Sequence, residues 1–202
     1  MNNNNIRTLY ARQHDTVFPK LGVFLAGSTP SEANMLTGWR RVVAEKLKQD
    51  KRLNASMIVV YPEPESGLWS DIDNPNPQNE VERMRDKQIP WEWQYLSLCD
   101  ITAFWLPTYW SKEQSGVFDA NIGPTSRLEF GYFLQEALKS PQKRKFIVGS
   151  PADAESLKWA QKMASVHNIH WHILPEADKE MLVAPSFIEE IASTLAQNQW
   201  DY

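Results

Sequence analysis

Five short apolar runs alternate with stretches of helical period, and that alternation leaves few folds open. The runs are Leu21–Gly27, Met57–Tyr61, Asp100–Leu106, Lys145–Gly149 and Ile169–Ile173. Between them the spacing predicts helices over Ser31–Gln49, over about Gln78–Cys99 with a break at Pro90, from the Gly123–Tyr132 stretch onward, and over Asp153–Val166. A closing helix is expected over Ser186–Ala196. Strands joined through helices require right-handed crossovers and a parallel sheet covered on both faces. The expectation is an α/β chain: a single doubly wound, flavodoxin- or Rossmann-like domain over residues 21–202 with a mainly parallel five-stranded sheet. Residues 1–20 are polar and irregular, and read as a loosely held N-terminal arm.

Such sheets bind their ligands beyond the carboxyl ends of the strands, beside the switch point. Four stretches must gather there: the Gly27-Ser28-Thr29-Pro30 turn, the loop over 62–80, the loop over 108–123, and the segment Gly123-Pro124-Thr125-Ser126-Arg127-Leu128-Glu129-Phe130-Gly131-Tyr132. The last segment reads as a loop entering a helix, with Thr125 or Ser126 as its cap and Glu129 in the first turn. Free backbone N–H groups and the helix dipole favour an ionised carboxylate there. Two readings stay open. Ser126 and Glu129 fit a capping box, and an anionic oxygen at this junction can also act as nucleophile or general base.

Formal net charge is −4. That gives no electrostatic attraction to nucleic-acid polymers or anionic membranes, and no apolar run is long enough to span a bilayer. Met1 to Asn5 carry neither the basic region nor the apolar core of a signal peptide. Cys99 is the one cysteine, so no internal disulfide forms. These features suit a reducing cytoplasm. The chain has nine tryptophans, which is unusual, and Trp69, Trp91 and Trp93 offer flat faces on which a nucleobase can stack.

In order along the chain, several pieces match one family. They are Val23-Phe24-Leu25-Ala26-Gly27-Ser28, Tyr61-Pro62-Glu63, Gln88 with Trp91-Glu92, Cys99-Asp100 before Ile101–Leu106, and Thr125-Ser126 with Glu129-Phe130-Gly131. Together they resemble the nucleoside 2-deoxyribosyltransferases, in their divergent deoxyribosyltransferase-like branch, over about residues 21–150. The resemblance implies that Glu129 is the nucleophile that attacks the anomeric carbon of a 2′-deoxyribonucleoside, as in retaining glycosidases. It implies that Glu92 handles the departing or incoming base, against the alternative of a solvated helix carboxylate. Gly27 and Ser28 would lie under the sugar, and Trp69, Trp91, Thr125 and Ser126 complete the substrate-binding set. No metal and no organic cofactor are called for.

The implied partner is a small nucleoside or nucleotide, and the implied assembly is a homo-oligomer, because related transferases bring a chain end such as Trp200-Asp201-Tyr202 to a neighbouring site. Hydrolysis of a deoxynucleoside 5′-monophosphate, or nucleotide binding without turnover, are the alternatives. One departure stands out: the better-known branch has an acidic residue six positions before the nucleophile, where this chain has Gly123. His170 and His172 are two apart on a strand and find no third metal ligand, so they read as an exposed edge. Cys99 reads as a buried structural thiol.

Overall fold

The computed structural model describes residues 6–15, 21–29, 37–53, 56–72, 87–108 and 124–198. Leu21–Gly27 is strand β2, flanked on one side by β3 (Met57–Val60) and on the other by β4 (Ile101–Trp105). Beyond these lie β1 (Ile6–Leu9), β5 (Lys145–Pro151) and β6 (Trp171–Leu174), in the order β1-β3-β2-β4-β5-β6, with every pair parallel. The doubly wound α/β expectation holds, but the sheet has six strands where the sequence predicts five. The sixth is Ile6–Leu9, inside the stretch read as a loose arm.

That short strand has few apolar residues of its own, so periodicity does not reveal it; its pairing with Met57–Val60 makes it. Residues 13–15 are tied down as well. Trp91 Nε1 donates to the Gln13 carbonyl at 2.8 Å, and the Asp15 amide donates to the Tyr95 hydroxyl at 3.1 Å. Residues 1–5 and 16–20 lie outside the described residues.

Alternation along the strands divides the core into two layers. Val23, Leu25, Val59, Ala103, Trp105 and Ile147 face helices α1 (Trp39–Gln49) and α5 (Pro185–Asn198). Phe24, Ala26, Ile58, Val60, Phe104 and Val148 face α2 (Ile89–Leu98), α3 (Pro124–Lys139) and α4 (Lys158–Val166). Helix–sheet packing of this kind leaves loops free only at the strand ends. Among the described residues no helix is long and apolar enough to cross a membrane.

Several element boundaries differ from the expectation. Pro90 does not break a helix; it sits in the first turn of α2, where its missing N–H costs nothing. Pro124 is likewise the first residue of α3. The helix expected from Asp153 starts at Lys158, and the strand expected over Ile169–Ile173 runs over Trp171–Leu174. His172 is buried instead of exposed: its Nδ1 lies 3.0 Å from Ser186 Oγ and its Nε2 lies 2.5 Å from Glu190 Oε2, both on α5. Cys99 is buried and free, and burial pushes its thiol well above the usual range. The starts of the expected helices at Ser31 and Gln78, and the loop over 109–123 with Gly123, lie outside the described residues.

Candidate active site

Helix α3 carries its polar and apolar residues in an unexpected arrangement. Phe130, Phe133, Leu134 and Ala137 form the buried stripe, while Leu128 and Tyr132 are exposed. Glu129 belongs to the buried stripe and is only 5 % exposed. With Pro124 at the helix start, Glu129 falls in the second turn, and the first turn holds no acidic residue. The Ser126–Glu129 capping box therefore does not form, because Ser126 is already inside the helix.

Glu129 stands within hydrogen-bonding distance of Glu92, which projects from the first turn of α2 and is half-buried. Burial first, and then the neighbouring Glu92 carboxyl, push the Glu129 carboxyl up to about 8 against the opposing charge of Arg40. Burial also raises Glu92, while Gln88, Arg40 and Glu129 pull it back down. Two carboxyls this close cannot both ionise cheaply, so the pair keeps at least one proton near neutral pH. Gln88 Nε2 donates to Glu92 Oε1 at 2.7 Å. Among the described residues, Glu129 Oε1 and Gln88 Oε1 are buried without a hydrogen-bond partner.

Beneath the pair lies the end of β2. Gly27 has φ +130°, and a Cβ there would stand 2.0 Å from the Trp105 carbonyl oxygen, so only glycine fits. Arg40, 1 % exposed, reaches up from α1. Its Nε donates to the Leu25 carbonyl at 2.7 Å, and its guanidinium nitrogens donate to the carbonyls of Gly27 at 2.7 Å and Ser28 at 3.4 Å. The same guanidinium is ion-paired with Glu63, which is fully buried after β3. Trp39 closes the arrangement, its ring 4.6 Å from the Arg40 charge and its Nε1 donating to Ser28.

Ser28 is 2 % exposed, and its Oγ has no partner among the described residues. It lines a crevice of about 10 Å³ together with Leu106, Thr108, Ser126, Arg127, Phe130, Leu157 and Trp159. Thr108 is held there by its Oγ1, which donates to the Glu155 carbonyl at 2.6 Å.

Of the residues singled out from sequence, the fold thus gathers Glu129 with Glu92, and Ser28 with Ser126, around the carboxyl ends of β2 and β4. Trp91 lies elsewhere: it is 3 % exposed, bonded to Gln13 and packed 4.9 Å from Tyr95 and 6.4 Å from Phe24. Trp69 is half-buried in a 3₁₀ turn (Trp69–Asp71), with the Arg12 guanidinium 5.9 Å from its ring. Thr125 belongs to α3 by its backbone, and its side chain is outside the described residues.

Sequence reasoning did not assign roles to Arg40 and Gln88, and it put Glu63 in an open loop. Arg40 carried a usable signal, since it sits on the inward stripe Trp39, Arg40, Val43, Ala44 and Leu47, where a charge needs a buried partner. Among the described residues no cluster of three metal-ligating side chains occurs. Comparison with protein-family models finds no match for the chain, and comparison with curated proteins finds none.

Proposed function

We propose that the protein cleaves the N-glycosidic bond of 2′-deoxyribonucleosides and passes the deoxyribosyl group to a second base. The observation that supports this reading is the Glu92–Glu129 carboxyl pair, with Glu129 buried and both groups raised above the usual carboxylate range, set at the carboxyl ends of β2 and β4. Displacement at an anomeric carbon needs one carboxylate and one carboxylic acid, and a pair that holds one proton supplies both. The Glu129 carboxylate attacks C1′ and the C1′–N bond breaks. Its electron pair stays on the base nitrogen, which takes the proton from Glu92. A glycosyl ester on Glu129 results.

In the second half Glu92 removes a proton from the incoming base, whose nitrogen attacks C1′ and frees the Glu129 carboxylate. The burial of Glu129 supports transfer over hydrolysis, because an ester shielded from water survives until a second base arrives.

Hydrolysis, including that of a 5′-monophosphate, has one observation in its favour. The crevice beside Ser28 and Ser126 has room for about one water. The deciding experiment offers the protein a 2′-deoxynucleoside, and separately its 5′-monophosphate, with and without a second free base. A new nucleoside that forms only with the second base supports transfer. Free deoxyribose, or its phosphate, formed without it supports hydrolysis. Neither product across the common bases, with nucleotide binding still seen by calorimetry, removes both enzymatic readings and leaves a binding module.

A further inference from the structure

We propose that Arg40 is the positioning residue of the Glu92–Glu129 pair, holding the Gly27–Ser28 turn beneath it and supplying a buried positive charge whose strength Glu63 sets. The reading of the pair as catalytic rests on the proposed function; the effect of Arg40 on the pair does not.

The geometry makes Arg40 an unusual buried charge. Its donors serve three successive demands at the end of one strand: the carbonyls of Leu25, Gly27 and Ser28. A strand that ends in a left-handed glycine exposes carbonyls that no neighbouring strand can satisfy, and the planar guanidinium meets them from one side. Removing it would leave several buried acceptors unpaired and would free the turn over which the pair stands.

The charge has a second effect. Arg40 acts on both Glu92 and Glu129 and favours the ionised form of each. In that way it lowers the pH at which the pair loses its protons, against burial, which raises it.

Glu63 opposes that effect. It is ion-paired with Arg40, fully buried, and has its Oε2 unpartnered among the described residues. Burial pushes it up, while Arg40 and the adjacent Arg41 pull it down. Arg41 itself is engaged elsewhere, donating to the carbonyls of Pro64 and Glu65 at 3.0 and 2.9 Å and to the Tyr10 hydroxyl at 3.0 Å. The charged groups that face one another across these elements are thus Arg40 and Arg41 on α1, Glu63 after β3, Glu92 on α2 and Glu129 on α3. To the extent that Glu63 is ionised, it cancels part of the field that Arg40 exerts on the pair.

The test reads the ionisation of the pair directly, by carbon NMR of ¹³C-glutamate-labelled full-length protein titrated from acid to alkaline pH. Wild type is compared with Glu63→Gln and with Arg40→Met/Glu63→Gln, a double variant that strands no buried charge. Glu63→Gln should move the ionisation of the pair to lower pH than wild type. The double variant should ionise at higher pH than Glu63→Gln by about one pH unit or more, the size expected when a neighbouring buried opposite charge is lost. A role of Arg40 confined to holding the turn leaves Glu63→Gln at the wild-type titration, because that variant keeps every Arg40 bond to the turn. Agreement between the two variants to within about 0.3 pH unit, or an alkaline shift in Glu63→Gln, overturns the proposal.

If Glu63→Gln does not fold, Arg40→Lys serves in its place. It keeps the charge, so the pair should titrate within about 0.3 pH unit of wild type while the amide signals of Gly27 and Ser28 move; a full-unit shift overturns the proposal. The titration needs no substrate. A protein inactive on every deoxynucleoside would therefore defeat the glycosidic reading and leave this result standing.

Discussion

Gln88 and Glu92 stand one helical turn apart at the entrance to α2, and Gln88 Nε2 donates to Glu92 Oε1 at 2.7 Å. That bond favours the ionised form of Glu92, while Glu129 keeps one oxygen without any partner among the described residues. The two carboxyls are thus unequal: in the free protein the hydrogen-bonded Glu92 is the better anion, and Glu129 is the weaker acid that keeps the proton. Substrate must reverse that order before Glu129 can attack, and the reversal is a proton shift across a single hydrogen bond.

The first prediction follows from burial of Glu129. Its carboxyl is raised in the folded protein to about 8 from an unfolded value near 4.5. The neutral form is therefore the one the fold favours: its stabilising contribution is complete below about 4.5 and disappears as pH rises through about 8. Glu129→Gln cannot ionise and escapes this loss. Thermal unfolding at pH 5, 6.5 and 8 should show the variant gaining on wild type as pH rises, by a few kcal/mol over the range, while glycosidic turnover falls roughly a thousand-fold or more. A variant less stable than wild type at pH 8 would mean that Glu129 serves the fold and not a site.

Glu92 and Gln88 should separate chemistry from binding. A proton donor acts in the transition state, so Glu92→Ala should lower kcat by roughly 10²–10⁴-fold with a smaller change in KM. The deficit should shrink for bases that depart without protonation. Gln88→Leu removes the bond that favours ionised Glu92, and its acid limb in the pH–rate profile should move to higher pH. Unchanged profiles in both variants would return Glu92 to a role at the helix surface.

Gly27→Ala tests the floor of the site. The new Cβ would meet the Trp105 carbonyl at 2.0 Å in a backbone conformation with φ +130°. Denaturant unfolding should show a loss of roughly 3 kcal/mol or more, since neither strain nor clash can relax without parting β2 from β4. A loss below about 1 kcal/mol would mean that the turn can refold around a side chain.

The tryptophans should divide between fold and ligand. Trp91→Ala deletes a core side chain that also satisfies the Gln13 carbonyl, and should cost about 3–5 kcal/mol of stability. Trp91→Phe should recover most of the packing and leave nucleoside affinity unaltered. Trp69, half-buried in its turn, should change stability far less when replaced by alanine. A Trp91→Phe variant of full stability and weakened nucleoside binding would restore Trp91 to the ligand.

The sequence by itself determined the layered α/β architecture, because continuous apolar runs and helical periods are local patterns that a chain carries without its neighbours. It also determined that Glu129 lies near the start of the first helix after the strand Ile101–Trp105, and a helix that follows a parallel strand is entered from the carboxyl edge of the sheet. Only the tertiary structure decided the rest. Ile6–Leu9 is a strand because Met57–Val60 pairs with it, which no property of its own four residues requires.

The same holds for the helix register at Pro124. With Pro124 starting the helix Ser126 is already inside it and cannot cap it, and packing turns Glu129 inward on the stripe of Phe130 and Phe133. Trp91 went to the core through a bond to a carbonyl distant in sequence. Glu63 and Arg40 are 23 residues apart, and their pairing depends on two elements packing across the end of β2. Charges and rings show in a sequence as residue types. What they face is fixed by packing between elements far apart in the chain, and the proton count of a carboxyl pair follows from that packing alone.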